Sequence, residues 1–164
     1  MVDKNPYMGL RRKILGLSRN DYEMVIRQHR VHAVLVDTHM EDSVFSVACA
    51  ADGSFSLYYE EGGGITGLGQ KYKELGMAAR AFVYGAEQAL PVCEEAVDDD
   101  LPGVDERFFY LVADGKIFKA ASKKGSMASD PREIQILNFV LDKVMEKFFE
   151  SMSAEKTDSP GEQE

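Results

Sequence analysis

Residues 31–60 read VHAVLVDTHMEDSVFSVACAADGSFSLYYE, and the reading of this stretch decides the fold. Its first nine residues are β-branched or apolar at odd and even positions alike. A strand with that pattern is covered on both faces. Met40-Glu41-Asp42-Ser43 is a short link, and Val44 to Ala51 forms a second strand. Asp52-Gly53 is a strong hairpin signal for a two-residue type I′ turn. A third strand runs from Ser54 to Glu60, so the stretch reads as a three-stranded antiparallel meander. A two-residue turn at Glu41-Asp42 sets Asp37 opposite Ser46 and Val34 opposite Cys49. Strand alternation then points Phe45 and Val47 one way, and Leu35, Phe55, Leu57 and Tyr59 the other.

Upstream, Pro6 opens a first helical piece and Gly16 ends it. Ser18 with Asp21 three residues later resembles a capping box for a second piece, with Tyr22, Val25 and Ile26 as its apolar face. Downstream, a glycine-rich stretch precedes a helix over about residues 70–90. Tyr72, Leu75, Ala79, Phe82, Val83, Ala86 and Leu90 share one face of it, and Pro91 stops it. Residues 94–106 carry seven carboxylates in thirteen positions and read as an exposed acidic loop. A second hairpin, Arg107 to Ala121, turns at Asp114-Gly115. The last helix opens with Asp130 as N-cap, Pro131 in its first turn and Glu133 closing a capping box. Its core stripe is Ile134, Leu137, Leu141, Val144, Met145, Phe148 and Met152. Residues 153–164 are polar and acidic, and are expected to be a disordered tail.

The expectation is therefore one globular α+β domain over residues 1–152. It is a five-stranded antiparallel sheet with packed helices, in the order α-βββ-α-ββ-α. The architecture is similar to profilin-like and roadblock-like folds. Roadblock domains, however, split their strands two-then-three, where this chain has three-then-two. The analogy covers architecture alone, because fold does not give function.

Net charge is −9 over 164 residues, unevenly spread. Residues 1–33 carry +4 and the rest −13. An acidic body repels phosphate backbones, which argues against nucleic-acid binding. The basic end is either a solvated helix face or a contact with something acidic, this chain's own body included. No apolar run approaches the roughly 18–20 residues of a membrane helix. Two cysteines, Cys49 and Cys93, without motif spacing argue against a disulfide scaffold and a zinc site. A reduced cytoplasm is the expected compartment.

Gly62-Gly63-Gly64-Ile65-Thr66-Gly67-Leu68-Gly69-Gln70-Lys71 is the most unusual segment. It matches GxGxxG between a strand and a helix. A dinucleotide site needs a parallel βαβ unit, however, and this strand ends an antiparallel meander. Gly63, Gly64, Thr66, Gly67, Gly69 and Lys71 are the candidate residues for a small ligand or anion held by backbone N–H groups. The competing reading is a bend that lets a helix pack closely. Ser56-Leu57-Tyr58, followed by Gly62-Gly63-Gly64-Ile65, Gly67 and Gly69, resembles a motif of small uncharacterised bacterial proteins, over about 15 residues. The resemblance implies a bacterial cytosolic protein of unknown activity, and it carries over no catalytic residue.

His29, His32 and His39 are the only histidines. His39 and Asp37 share a strand face with Ser46, the one triad-like cluster the register offers. It has no nucleophile elbow and no evident oxyanion hole, so a hydrogen-bonded polar end of the sheet is the favoured reading. Asp98, Asp100 and Gly103 fall on EF-hand spacing, but Pro102 and Phe109 stand where ligands belong. The last helix has apolar residues beyond its stripe, Ile136, Phe139, Val140 and Phe149. A helix apolar over so wide an arc needs a second neighbour, either the N-terminal helices or another chain. The expected function is a non-enzymatic interaction module that binds itself or another protein. The alternative is a ligand or anion binder, with or without catalysis, on Gly62–Gly69. No catalytic residue, cofactor or metal ligand is assigned.

Overall fold

The computed structural model describes residues 6–22 and 29–157. The expected apolar face at Val25 and Ile26 lies outside them. Helix α1 spans Pro6–Leu15, and a 3₁₀ turn follows at Arg19–Tyr22. The Ser18 and Asp21 expectation is met locally: Ser18 N–H donates to Asp21 Oδ2 at 3.2 Å. Strands β1 (Val31–Met40), β2 (Ser43–Ala50) and β3 (Phe55–Tyr59) form the meander. Then come β4 (Gly64–Ile65), α2 (Leu68–Lys71) and α3 (Lys73–Ala86), the last running into a 3₁₀ segment at Glu87–Val92. The chain closes with β5 (Glu94–Glu95), β6 (Glu106–Ala113), β7 (Lys116–Lys123) and α4 (Arg132–Thr157). Helix α4 thus takes in the first five residues of the expected tail.

The class is α+β with an antiparallel sheet, but the sheet has seven strands rather than five. Its order is β4-β3-β2-β1-β6-β7-β5. The five expected strands form its middle. The two additions are edge pieces of two residues each, too short to show periodicity. Gly62 and Gly63 take positive φ and fold β4 back onto Leu57 and Tyr58. Part of the acidic loop pairs with β7 as β5. Very short edge strands, one of them carrying two glutamates, protect both sides of the sheet from pairing with a stray strand.

Register follows turn chemistry. Asp37 lies opposite Ser46 and Val34 opposite Cys49, as the two-residue turn at Glu41-Asp42 requires. Asp114 and Gly115 both take positive φ, the requirement of a type I′ turn. At Asp52-Gly53 the expectation fails. Only Gly53 takes positive φ, and Ala50 N–H donates to Ser54 O, which makes a three-residue loop. One extra residue in the loop slips the register by one and flips every side chain of β3. Phe55, Leu57 and Tyr59 therefore face with Cys49, Val47 and Phe45, not with Leu35.

That flip builds the larger core. Val34, Val36, Val47, Phe55 and Leu57 meet Leu75, Phe82 and Val83 of α3, and Leu137, Leu141 and Val144 of α4. The other face is a smaller apolar layer of Ala33, Leu35, Ala48, Tyr58 and Tyr110, closed by Tyr7 and Leu15 of α1. The expected stripes of both long helices thus bury against one side. Among the described residues α1 is the one helix on the other side, helped by Ala96 and Leu101 of the acidic loop.

Candidate functional site

The triad-like cluster is a buried structural network. Asp37 and Ser46 have no solvent exposure, and Ser46 Oγ donates to Asp37 Oδ1 at 2.5 Å. With that proton committed, Tyr7 Oη must be the donor in its 2.6 Å bond to Ser46 Oγ. The third partner is Arg11 rather than His39. Arg11 is fully buried, and its Nη2 lies 2.5 Å from Asp37 Oδ2. Its Nη1 donates to Asp99 O at 2.8 Å. Burial pushes the Asp37 carboxyl up, while Arg11 and Ser46 pull it back. Burial also pushes the Tyr7 phenol well above its ordinary value. Ser46 has no solvent exposure, and the one carboxylate beside it is tied to the Arg11 guanidinium, so the cluster is arranged as a packing network. His39 stands near the strand end with its buried Nδ1 unpartnered.

The basic end meets the chain's own acidic body. Arg12 Nε lies 2.9 Å from Asp99 Oδ2, which holds the Asp99 carboxyl below its ordinary value, chiefly through this hydrogen bond. Tyr110 Oη donates to Asp100 O at 2.5 Å. The acidic loop is thereby pinned over the α1 face rather than free in solvent. Among the described residues no group of three or more His, Cys, Asp or Glu is placed to hold a metal ion.

The other histidines are packing residues. His32 Nε2 contacts Leu17 O at 2.6 Å, and His29 stacks on Tyr84 with centroids 4.0 Å apart. Both cysteines are free thiols. Burial alone pushes Cys49 up to about 12 and Cys93 up to about 11. Since the thiolate is the reactive form, neither should react readily with an alkylating reagent at neutral pH in the folded protein. Mass spectrometry after brief labelling checks this, and rapid modification of Cys49 would contradict the packing of β2.

The glycine-rich candidates lie along one edge. Gly63 is in the β3–β4 turn, Gly64 in β4, and Thr66 and Gly67 in an exposed link. Gly69 and Lys71 are in α2, a helix of one turn. Lys71 Nζ sits 5.3 Å from the centre of the Tyr72 ring. The closest backbone approaches are at Gly69 and Gly76, followed by Gly64, where a Cβ would stand 2.7 Å from Leu57 O. A Cβ on Gly69 would stand 1.8 Å from Gly53 O, and one on Gly76 would stand 2.4 Å from Gly69 O. α2 and α3 are thus pressed backbone to backbone against the β2–β3 loop.

On α4 the extra apolar residues divide. Val140 is partly buried against the core. Ile136, Phe139 and Phe149 are 37%, 62% and 59% exposed. α1 cannot cover them, because it lies on the opposite face of the sheet. No protein-family model, curated protein or solved structure matches the chain. Among the described residues no helix is long and apolar enough to cross a membrane.

Proposed function

We propose that this chain is a non-enzymatic interaction module that pairs with a second copy of itself through the outer face of α4. The observation that carries the reading is Phe139, a large aromatic side chain left 62% exposed at mid-helix. The charges beside it favour a second copy as occupant. Lys143 and Glu150 are two helical turns apart on one face, both exposed. Two α4 helices running antiparallel about a twofold axis set Lys143 of each copy beside Glu150 of the other. The same register lays Phe139 over the small, exposed Ala154. Within one chain, among the described residues, Lys143 pairs with Glu146 at 3.6 Å and Glu150 with Lys147 at 3.3 Å, both within α4. Such pairs exchange at little cost.

Phe139→Glu is expected to weaken the dimer by about 2 kcal/mol or more, the cost of losing an aromatic anchor at each end of the contact. It should leave the fold intact, since the site is exposed and glutamate suits a helix. Sedimentation equilibrium reads the change. Charge reversal tests the register: Lys143→Glu alone should weaken pairing, and adding Glu150→Lys to the same chain should restore it. A wild-type chain that stays monomeric at high concentration removes the proposal.

A cytoplasmic setting fits the two free thiols, and the bacterial origin implied by the glycine motif belongs to the same reading. The profilin-like and roadblock-like analogy is supported by helices on both faces of one antiparallel sheet, and it carries no function. The ligand reading of Gly62–Gly69 draws less support, because α2 is a single turn and Gly69 is taken up by packing. ATP, GTP or NAD at millimolar concentration should raise the melting temperature by less than about 1–2 °C, since stabilisation follows RT ln(1 + [L]/Kd). A large shift abolished by Lys71→Ala would instead favour a ligand site there.

A further inference from the structure

On the sheet face covered by α3 and α4, Thr38, Arg107 and Ser122 form one row across β1, β6 and β7. Arg107 Nε donates to Thr38 Oγ1 at 2.9 Å, and its Nη1 donates to Asn138 Oδ1 at 2.7 Å. Asn138 Nδ2 donates in turn to Ser122 Oγ at 3.1 Å, and Ser122 Oγ to Asp130 Oδ2 at 2.6 Å. Both acceptors of Arg107 are neutral. Among the described residues it forms no ion pair, and its Nη2 makes no hydrogen bond. Asp142 acts on it through space without reaching ion-pair distance. The chain holds 28 acidic residues against 19 basic ones, so a half-buried guanidinium with no carboxylate in contact is against the odds of its own composition. Arg11, which also faces inward, has Asp37.

Arg107 lines a cavity of 460 Å³. The cavity forms where β1 runs on to Met40 past its last pairing with β6, at Thr38 and Arg107. Buried Thr38 and half-buried Arg107, His39 and Met127 make its deeper wall, while exposed Met40 and Lys124 stand at the rim. Three carboxylates also border it. Glu106 Oε1 already accepts from Gly103 N–H at 3.1 Å, and Glu41 and Asp105 are exposed, where water weakens their repulsion of a single negative charge without removing it.

We propose that this cavity binds a small organic monocarboxylate, held by the unused N–H groups of Arg107 with its apolar part against Met40 and Met127. A carboxylate supplies the planar acceptor that a guanidinium edge fits, and the charge-assisted bond gains strength away from bulk water. Phosphate offers similar oxygens, but its second charge is repelled more strongly by Glu41 and Asp105. The site therefore favours a single negative charge. It is separate from the outer face of α4 and stands or falls independently of self-association.

Propionate titrated into the isotope-labelled full chain tests this by amide chemical shifts, with propionamide as the uncharged match and inorganic phosphate as the second anion. The expected result is saturable shifts around Thr38–Glu41 and Asp105–Arg107 with propionate, weaker ones with phosphate, and none with propionamide. Arg107→Gln should weaken propionate binding by about tenfold or more. Arg107→Lys keeps the charge and loses the planar edge, and it should weaken binding less. Scattered or non-saturating shifts, equal response to propionamide, tighter binding of phosphate, or wild-type affinity in a folded Arg107→Gln chain would each overturn the proposal. If Arg107→Gln does not fold, the comparison of propionate with propionamide on the unaltered chain decides.

Discussion

Replacing Asp37 with alanine is expected to destabilise the protein by about 3–5 kcal/mol, the cost of leaving a buried partner charge uncompensated. Arg11 has no solvent exposure, so it cannot recover in water what it loses in the protein. Ser46 loses its acceptor at the same time, and the Tyr7 bond to Ser46 Oγ loses the carboxylate that orients that hydroxyl. A domain of this size is stable by about 5–15 kcal/mol, so the change removes a large part of the total. Urea unfolding measures it. Removing both charges with Arg11→Met and Asp37→Val should cost much less than the two single changes added together, since a buried ion pair is often replaceable by apolar packing. Arg12→Ala, which breaks only the partly exposed pair with Asp99 and leaves Arg11 in place, should cost about 1 kcal/mol or less. If Asp37→Ala lay within that smaller range, the network would not be holding α1 to the sheet.

Gly69→Ala and Gly85→Ala should move stability in opposite directions. At Gly69 the new methyl would meet Gly53 O at 1.8 Å, and both sides of the clash are backbone. No side chain can swing away, so α2 must lift from the β2–β3 loop, and the expected loss is about 3 kcal/mol or more. At Gly85, exposed in α3, nothing lies within 4 Å of the added Cβ. There alanine should raise stability by about 0.5–1 kcal/mol through helix propensity. Thermal and urea denaturation of the two variants give the comparison. A harmless Gly69→Ala would mean that the glycine-rich segment is not a packing junction.

These expectations rest on features that were legible in the sequence to different degrees. Apolar runs, turn signals and helical periodicity placed the five long strands and the two long helices, although the helix expected over about residues 70–90 breaks at the extended Tyr72 into α2 and α3. The β1–β2 register followed from a two-residue link. The β2–β3 register did not, because Asp52-Gly53 reads the same whether one or two residues take positive φ, and only the backbone distinguishes them. Strands of two residues have no period to detect. The Arg11–Asp37 pair left half a signal: a carboxylate inside a strand apolar on both faces demands a cation. Nothing in the spacing of Arg11, Arg12 and Lys13 said which one would turn inward. Arg107 left no signal, since its importance lies in where β6 begins relative to β1.

The order of the strands has a consequence for synthesis. β1 is made first and ends in the middle of the sheet. Its β2 edge closes almost at once, but Thr38 and Arg107 are 69 residues apart. At about 5–20 residues per second, the opposite edge of β1 stays bare for roughly 3–14 s on the ribosome. During that interval the nascent chain presents an apolar strand with unpaired backbone groups, a template for any neighbouring chain at the same stage. Crowded polysomes are then the place where this protein meets its own copies in the wrong way. Conditions that slow initiation rather than elongation should recover the most soluble material.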